Sequence, residues 1–223
     1  MRVAGVAAGV LSSMSSMVRR SAHAANGPDG RGGVGRTGRP AYPDPVSVQS
    51  TEFRAVMGQF ATGVTVVTTL DGDRPEGITV NAMASVSLEP PMVMIALDRR
   101  RHINPAIEAG GRFAINILAE GQQWLSDCFA GANVNPGRDV FCGAGWDAGE
   151  TGMPLLRGAI AALECRVVDR LETGDHHVFV GAVEAAHLHD EAAPPLLYHR
   201  RRYLRIERAT TSVVTGKPES PAG

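Results

Sequence analysis

The sequence predicts a mainly β protein, an antiparallel β-barrel with a few helices. One observation is that residues 65–70, 159–171 and 177–189 contain the β-branched and apolar side chains that favour strands. A second is that the predicted helices are short and do not alternate with strands, as a parallel sheet would require. Many strands joined by turns therefore favour an antiparallel barrel.

The folded region begins with a helix and then a strand. Ser50 or Thr51 can cap a helix over residues 52–60 through its side-chain hydroxyl. One face of that helix is apolar and consists of Phe53, Val56, Met57 and Phe60. Residues 65–70 predict the strand, and the Asp-Gly-Asp sequence at 71–73 predicts a tight turn into the next strand.

The segment 77–104 gives the strongest indication of function. Its first residues alternate between small apolar and polar side chains, with the period of a half-buried strand. Residues 85–91 predict a polar, hairpin-like connection whose hydroxyl groups and backbone can bind a planar polar ligand. The uninterrupted apolar run at 92–97 predicts a strand buried on both faces.

Three consecutive arginines follow that apolar strand. Arg99, Arg100 and Arg101 concentrate positive charge at the point where the strand ends. Guanidinium groups bind phosphate through charge-assisted hydrogen bonds. Arginines in a solvated loop are the commoner pattern, but beside the polar connection they predict a phosphorylated, ring-containing ligand.

The remainder of the chain predicts two more helices and four more strands. These are helices at 104–109 and 121–130, a glycine-rich loop at 133–152, and strands at 112–118, 159–171, 177–189 and 196–206. His187 and His189 lie two apart on one predicted strand and can face the same way. Apart from Asp190, no acid or cysteine stands at ligand spacing, so no metal site is expected.

Composition and charge exclude several classes of protein. A net charge of −1 over 223 residues argues against nucleic-acid binding. No apolar run reaches the roughly 18 residues that a membrane span needs. Cys128, Cys142 and Cys165 lack C-x-x-C spacing, which predicts free thiols in a reducing, cytoplasmic setting. Residues 1–45 predict a disordered extension, and residues 207–223 predict a flexible tail.

Five blocks of the sequence resemble the flavin reductase family, which supplies reduced flavin to two-component monooxygenases. They occur in family order at 53–68, 77–97, 111–118, 174–181 and 195–203. The resemblance implies a flavin reductase-like domain over residues 50–206, with the FMN-binding split β-barrel fold of antiparallel Greek-key type. It also implies a homodimer that uses NADH or NADPH to reduce FMN or FAD, and a partner monooxygenase that receives the reduced flavin.

The resemblance assigns the candidate site residues. Those that match flavin-binding positions are Thr79, Val80, Asn81, Ala82, Ser85, Val86, Ser87 and Asn116, with Arg99, Arg100 and Arg101 at the flavin phosphate. His176 and Tyr203 match positions beside the nicotinamide and are the catalytic candidates, whereas Arg201 stands where relatives commonly carry glycine. The alternative is a non-catalytic flavin-binding or electron-carrier protein on the same barrel, because one fold hosts several functions.

Overall fold

The computed structural model describes residues 48–131, 141 and 143–206. The predicted extension at 1–45 and the predicted tail at 207–223 lie outside the described residues, as do residues 133–140 and 142 of the predicted glycine-rich loop.

Short helices and twelve strands make up the described chain. The helices are α1 (Ser50–Met57), α2 (Ile103–Gly110), a 3₁₀ turn (Glu120–Gln122) and α3 (Gln123–Phe129). The strands are β1 (Thr62–Gly63), β2 (Thr65–Asp71), β3 (Arg74–Val80), β4 (Met83–Leu88), β5 (Pro91–Asp98), β6 (Arg112–Ile117), β7 (Trp146–Ala148), β8 (Pro154–Leu156), β9 (Ala161–Thr173), β10 (His176–Leu188), β11 (Leu197–His199) and β12 (Arg202–Leu204).

The main sheet contains seven strands in the order β3-β2-β6-β9-β10-β5-β4, and every neighbouring pair is antiparallel. Its two edge strands, β3 and β4, are consecutive in the chain and are separated only by Asn81 and Ala82. The backbone N–H of Ala96 donates to the carbonyl of Ala82 at 3.0 Å. This bond connects the two-residue link between the edge strands to β5. The topology confirms the prediction of a mainly β, antiparallel fold.

Two apolar cores lie on opposite faces of strand β2. Val67 packs with Ile95, Phe113 and Phe179 in one core, and α2 adds Ile107 to it. The adjacent Val66 belongs instead to a second core with Leu125 and Phe129 of α3. Successive side chains of a strand point to opposite faces, so β2 is buried on both sides. Its buried position explains why residues 65–70 are so rich in valine and threonine.

Two predictions around β4 and β5 are wrong. Residues 85–91 do not form one long turn, because most of them belong to β4 and pair with β5 through a bulge between Ser85 and Ser87. Strand β5 is not buried on both faces: Val93, Ile95 and Leu97 are buried, whereas Met92, Met94 and Ala96 are only half-buried. Although residues 92–97 are all apolar, they form a strand that is buried on one face only.

The predicted final strand at 196–206 is a hairpin instead. Strands β11 and β12 pair in antiparallel register on either side of Arg200 and Arg201. These two residues have φ values of 49° and 63°. Both central residues of a type I′ hairpin turn need such left-handed angles, which glycine adopts without strain. The left-handed angle at Arg201 is one that glycine, the residue expected there from the family resemblance, would adopt without strain.

A helix forms where one was predicted, but α1 begins at Ser50 and ends at Met57, two and three residues before the predicted bounds of 52–60. Gln49 occupies the N-cap position, and no side chain caps the helix, so the predicted role of Ser50 or Thr51 is wrong. No residue of α1 is buried in the described chain. Its apolar face is open to solvent, and Phe60, just beyond it, is 70% exposed.

The cysteines differ from one another. Cys165 is a free, buried thiol, and burial, reinforced by the charges of Glu184 and Glu164, raises its pKa to about 12. It is therefore an unreactive core residue. Cys128 is disulfide-bonded, so the prediction of free thiols is wrong for that residue.

In the described parts of the chain, no helix has both the length and the apolar character to cross a membrane.

Candidate active site

A cleft of about 170 Å³, open to solvent, lies between the end of β3 and the end of β5. Residues 78–82, which end β3 and link it to β4, form one wall. The end of β5 forms the other wall through Ala96, Leu97 and Asp98. Arg101 and His176 complete the lining. The structure therefore brings together the predicted residues Thr79, Val80, Asn81, Ala82, Arg101 and His176.

The cleft combines an apolar lining with uneven charge. Val80 and Leu97 are almost fully buried, and Ala82 and Ala96 add small apolar groups. Asp98 contributes a carboxylate to the lining, but this carboxylate accepts hydrogen bonds from Nε and Nη2 of Arg100 at 3.0 and 2.6 Å. Hydrogen bonds from the Arg100 side chain, and then from its backbone N–H, hold the pKa of Asp98 well below its usual range.

The three consecutive arginines are therefore not equivalent. The guanidinium of Arg100 forms an ion pair with Asp98, so it is less available to bind a phosphate. Arg99 and Arg101 have exposed side chains without an ion-pair partner within the described residues. Of these two, only Arg101 lines the cleft. Arg101 is therefore the arginine best placed to meet an anionic group of a ligand.

His176 is the first residue of β10 and lies opposite Asp98 in the register with β5. Its Nδ1 lies 2.7 Å from Oδ1 of Asp175, and its side chain is 42% exposed. The hydrogen bond with His176 and then its charge lower the pKa of Asp175. The pair fixes the orientation of the imidazole at the rim of the cleft. The next residue, His177, is buried on the other face of the strand.

Tyr203 does not line the cleft, although it was predicted beside His176. Its hydroxyl lies 2.9 Å from Ser126 Oγ and 2.8 Å from Asp127 Oδ1 on helix α3. Burial, with smaller contributions from the charges of Asp127 and Tyr198, raises the pKa of Tyr203. Thr79, which does line the cleft, donates its hydroxyl to the carbonyl of Ser126 at 2.7 Å. Among the described residues, Ser126 links Tyr203 to Thr79 in the lining of the cleft.

Asn116 also lies elsewhere. It is fully buried, and its amide nitrogen donates to the Val66 carbonyl and to Thr68 Oγ1, both at 3.1 Å. Its oxygen accepts the backbone N–H of Leu156 at 2.8 Å. These bonds fasten β8 to the main sheet, and the fully buried amide is not exposed to a ligand. We therefore replace its predicted flavin contact with a structural role.

Ser85, Val86 and Ser87 lie on edge strand β4 and not in the predicted turn. They are not among the residues that line the cleft, so their contact with a ligand stays a prediction. Sequence reasoning missed Asp98, which lines the cleft and binds Arg100. An acidic residue directly before three arginines was the available signal.

No metal centre is found: the described residues contain no group of three or more His, Cys, Asp or Glu side chains that could hold a metal ion. The predicted histidine pair has another arrangement. The rings of His187 and His189 stack with centroids 6.0 Å apart, and His187 Nε2 lies 2.7 Å from the buried carboxylate of Glu164.

Comparison with known proteins gives the family. A family model described as "Flavin reductase like domain" matches residues 57–207. The NADH-dependent FMN reductase AsuE2 of Streptomyces nodosus subsp. asukaensis is 40% identical over 157 residues, which cover 70% of this chain and 85% of that protein. The reductase component of 4-hydroxyphenylacetate 3-monooxygenase from Thermus thermophilus is 38% identical over 154 residues, which cover 69% and 95%.

A solved structure agrees with these sequence relatives. The NADH:FAD oxidoreductase SgcE6 of Streptomyces globisporus C-1027 matches with a TM-score of 0.67 at 36% identity, covering 75% of this chain and 99% of that chain. The fold and the cleft thus define a flavin reductase barrel. The chain belongs to the flavin reductase family, as the five ordered sequence blocks predicted.

The residues of the cleft fit a flavin on two counts. Its aliphatic lining at Val80, Ala82, Ala96 and Leu97 suits the face of an apolar ring system. The guanidinium of Arg101, which has no ion-pair partner in the described chain, suits the flavin phosphate. Both features lie in one continuous cleft, as one molecule with a ring and a phosphate requires.

Proposed function

We propose that this protein is an NAD(P)H-dependent flavin reductase that transfers a hydride from NADH to FMN or FAD and releases the reduced flavin. The observation that carries the proposal is the cleft at the split of the barrel, where an apolar wall, Arg101 and His176 meet. Membership of the flavin reductase family supports the same activity.

The protein contributes position more than reactive groups. A bound flavin supplies the hydride acceptor, so the reaction needs no acid–base pair from the protein. The aliphatic wall excludes water from one side of the ring site, and Arg101 holds the phosphate. His176, oriented by Asp175, lies at the open rim and positions the nicotinamide.

The deciding experiment is a flavin-dependent NADH oxidation assay with the purified full-length chain. The rate of loss of NADH absorbance is expected to be negligible without flavin and to rise with added FMN or FAD. NADPH in place of NADH, and FMN in place of FAD, establish the preferences. Protein that is saturated with flavin but consumes neither nucleotide would show the non-catalytic carrier instead.

A monooxygenase is the proposed recipient of the reduced flavin. The Thermus thermophilus relative is named as a monooxygenase reductase component, and the Mycobacterium tuberculosis protein HsaB, 39% identical over 161 residues, is named as a reductase subunit. We place the reductase unit at residues 50–206, in line with the family match to 57–207. The cytoplasmic location stays a prediction.

His176 is expected to act mainly on the nicotinamide. We expect His176→Ala to raise the KM for NADH and to lower kcat about tenfold, or about 1.4 kcal/mol, because the imidazole positions but does not react. Flavin affinity should barely change. The matched control is His189→Ala, which removes an exposed imidazole outside the cleft and should leave both constants unchanged. Loss of flavin binding with an unchanged KM would reverse the assignment.

A homodimer is proposed on the evidence of helix α1. Its apolar face exposes 58% of Phe53, 64% of Val56 and 50% of Met57, an arrangement that is unfavourable in water unless another surface covers it. The helix is also held in place on the protein, because the N–H of Arg200 donates to the carbonyl of Gly58, just after α1, at 3.1 Å. We therefore propose that a second copy of the chain covers this apolar face.

Val56→Glu is expected to convert the dimer into a monomer, since it places a charge in the covered face. Light scattering coupled to gel filtration measures the mass. Leu188→Glu is the control, because Leu188 is equally exposed at 64% but lies on β10. Wild-type protein that is monomeric at working concentrations would refute the dimer.

A further inference from the structure

The loop that carries the three arginines is held from inside by one buried side chain. Asn104, in the first turn of α2, is only 2% exposed. Its Nδ2 donates to the carbonyl of Asp98 at 2.9 Å and to the carbonyl of Arg101 at 3.0 Å. A single amide group thus bridges the last residue of β5 and the last of the three arginines.

The bridge needs a side-chain group that donates two hydrogen bonds, as an amide nitrogen does. Both partners are carbonyl oxygens, so the group facing them must be a double donor, and the orientation of the amide is fixed by them. Both carbonyls also have a backbone donor, because the N–H of Arg101 donates to Asp98 and the N–H of Asn104 donates to Arg101. The side chain is therefore not needed to satisfy these carbonyls, and its effect is on the geometry of the loop.

The other end of the amide supports this interpretation. Asn104 Oδ1 is buried and has no hydrogen-bond partner in the described structure. A buried acceptor without a partner destabilises the folded state. This cost offsets part of what the two donated hydrogen bonds contribute to global stability, so the main effect of the amide is on the geometry of the loop.

We propose that Asn104 is a positioning residue for flavin phosphate, which it serves by holding Arg101 at the cleft. The inference rests on the proposed function, because it takes the anionic ligand of Arg101 to be the phosphate of FMN or FAD. Asn104 touches no ligand itself. It fixes both ends of the loop, while the Asp98–Arg100 pair holds the intervening arginine away from the cleft.

The test compares FMN with riboflavin, which lacks the phosphate, by fluorescence titration of the full-length chain. We expect Asn104→Leu to raise the Kd for FMN about tenfold, because the guanidinium loses its fixed position, with the Kd for riboflavin changed less than about twofold. The melting temperature should change little. Asn104→Asp, which turns an oxygen toward two carbonyls, should impair FMN binding at least as strongly.

Two reference variants separate the possible outcomes. Thr69→Val removes another buried side-chain bond, which runs to the carbonyl of Arg112 at 2.8 Å. It should leave the ratio of FMN affinity to riboflavin affinity unchanged. Arg101→Ala should reduce that ratio. If Arg101→Ala reduces it and Asn104→Leu does not, the role of Asn104 is refuted and the phosphate site stands. If neither variant changes the ratio, the phosphate site itself is refuted.

Discussion

Arg101→Ala is expected to weaken FMN binding by about 2 kcal/mol, roughly 30-fold in Kd, because a hydrogen bond to a charged group contributes about 1.5–3 kcal/mol. Riboflavin binding should be nearly unchanged, since riboflavin has no phosphate. Of the three consecutive arginines, Arg101 is the one that lines the cleft. Fluorescence titration with both flavins measures the difference directly.

Arg99→Ala is the matched control for this prediction. It removes the same charge from the same loop, but Arg99 does not line the cleft, so its effect should be limited to a few-fold through the long-range field. Equal losses for FMN and riboflavin after Arg101→Ala would mean that the loop matters for folding and not for phosphate recognition.

Arg100→Ala tests a different part of the same loop. The Arg100 guanidinium neutralises Asp98, which lies in the lining of the cleft. Its removal leaves an unpaired carboxylate near the proposed phosphate position. Any loss of FMN affinity in that variant would then reflect repulsion from Asp98, and Asp98→Asn in the same chain should restore it. The sequence alone gives the three arginines equal weight, because their ion pairing depends on the folded loop.

The fold could be predicted because its main signals are local. Alternation and β-branched residues located β2, β6, β9 and β10 within a few residues of their observed bounds. The same signals failed where a strand and a turn look alike. The serines of β4 resemble turn residues. Arginine does not favour left-handed backbone angles, so the sequence did not indicate the turn at Arg200 and Arg201 that separates β11 from β12.

The site was predicted only in part, for a related reason. Residues 79–82 and His176 meet in the cleft because β5 pairs with β10, and ordered family blocks were sufficient to indicate this. Asn116 and Tyr203 occupy family positions too, yet their side chains are bound within the protein. Position along a strand does not state which face a side chain takes or whether its hydrogen bonds are already made.

Glu164 gives the second large prediction, and it concerns stability. This carboxylate on β9 is fully buried. It accepts the backbone N–H groups of Glu150 and Thr151, both at 2.8 Å, as well as the hydroxyl of Thr151, and it faces His187 Nε2 at 2.7 Å. A Cβ atom at Gly149 would overlap it, so the loop at 149–151 closes directly on the carboxylate.

Glu164→Gln is expected to lower the free energy of unfolding by about 3 kcal/mol, because buried donors lose the charged acceptor that satisfies them. Glutamine has the same shape, but its amide group turns a donor toward groups that already donate. Urea unfolding at neutral pH measures the loss. Glu184→Gln is the control: Glu184 bridges Arg112 and Arg166 on the same sheet, but its side chain is 26% exposed, and the expected loss is much smaller because solvent screens the pair.

The contribution of Glu164 should also depend on pH. Burial acts to raise the pKa of Glu164, but the hydrogen bonds from Thr151, His187 and Glu150 outweigh it and leave the pKa lowered. A carboxyl with a lowered pKa in the folded state stabilises the protein above its unfolded pKa of about 4.3, and this stabilisation is lost as pH falls through the folded value. The difference between wild type and Glu164→Gln should therefore be constant near neutrality and shrink below about pH 4. A difference that stays the same in acid would show that the substitution acts through packing and not through the charge of Glu164.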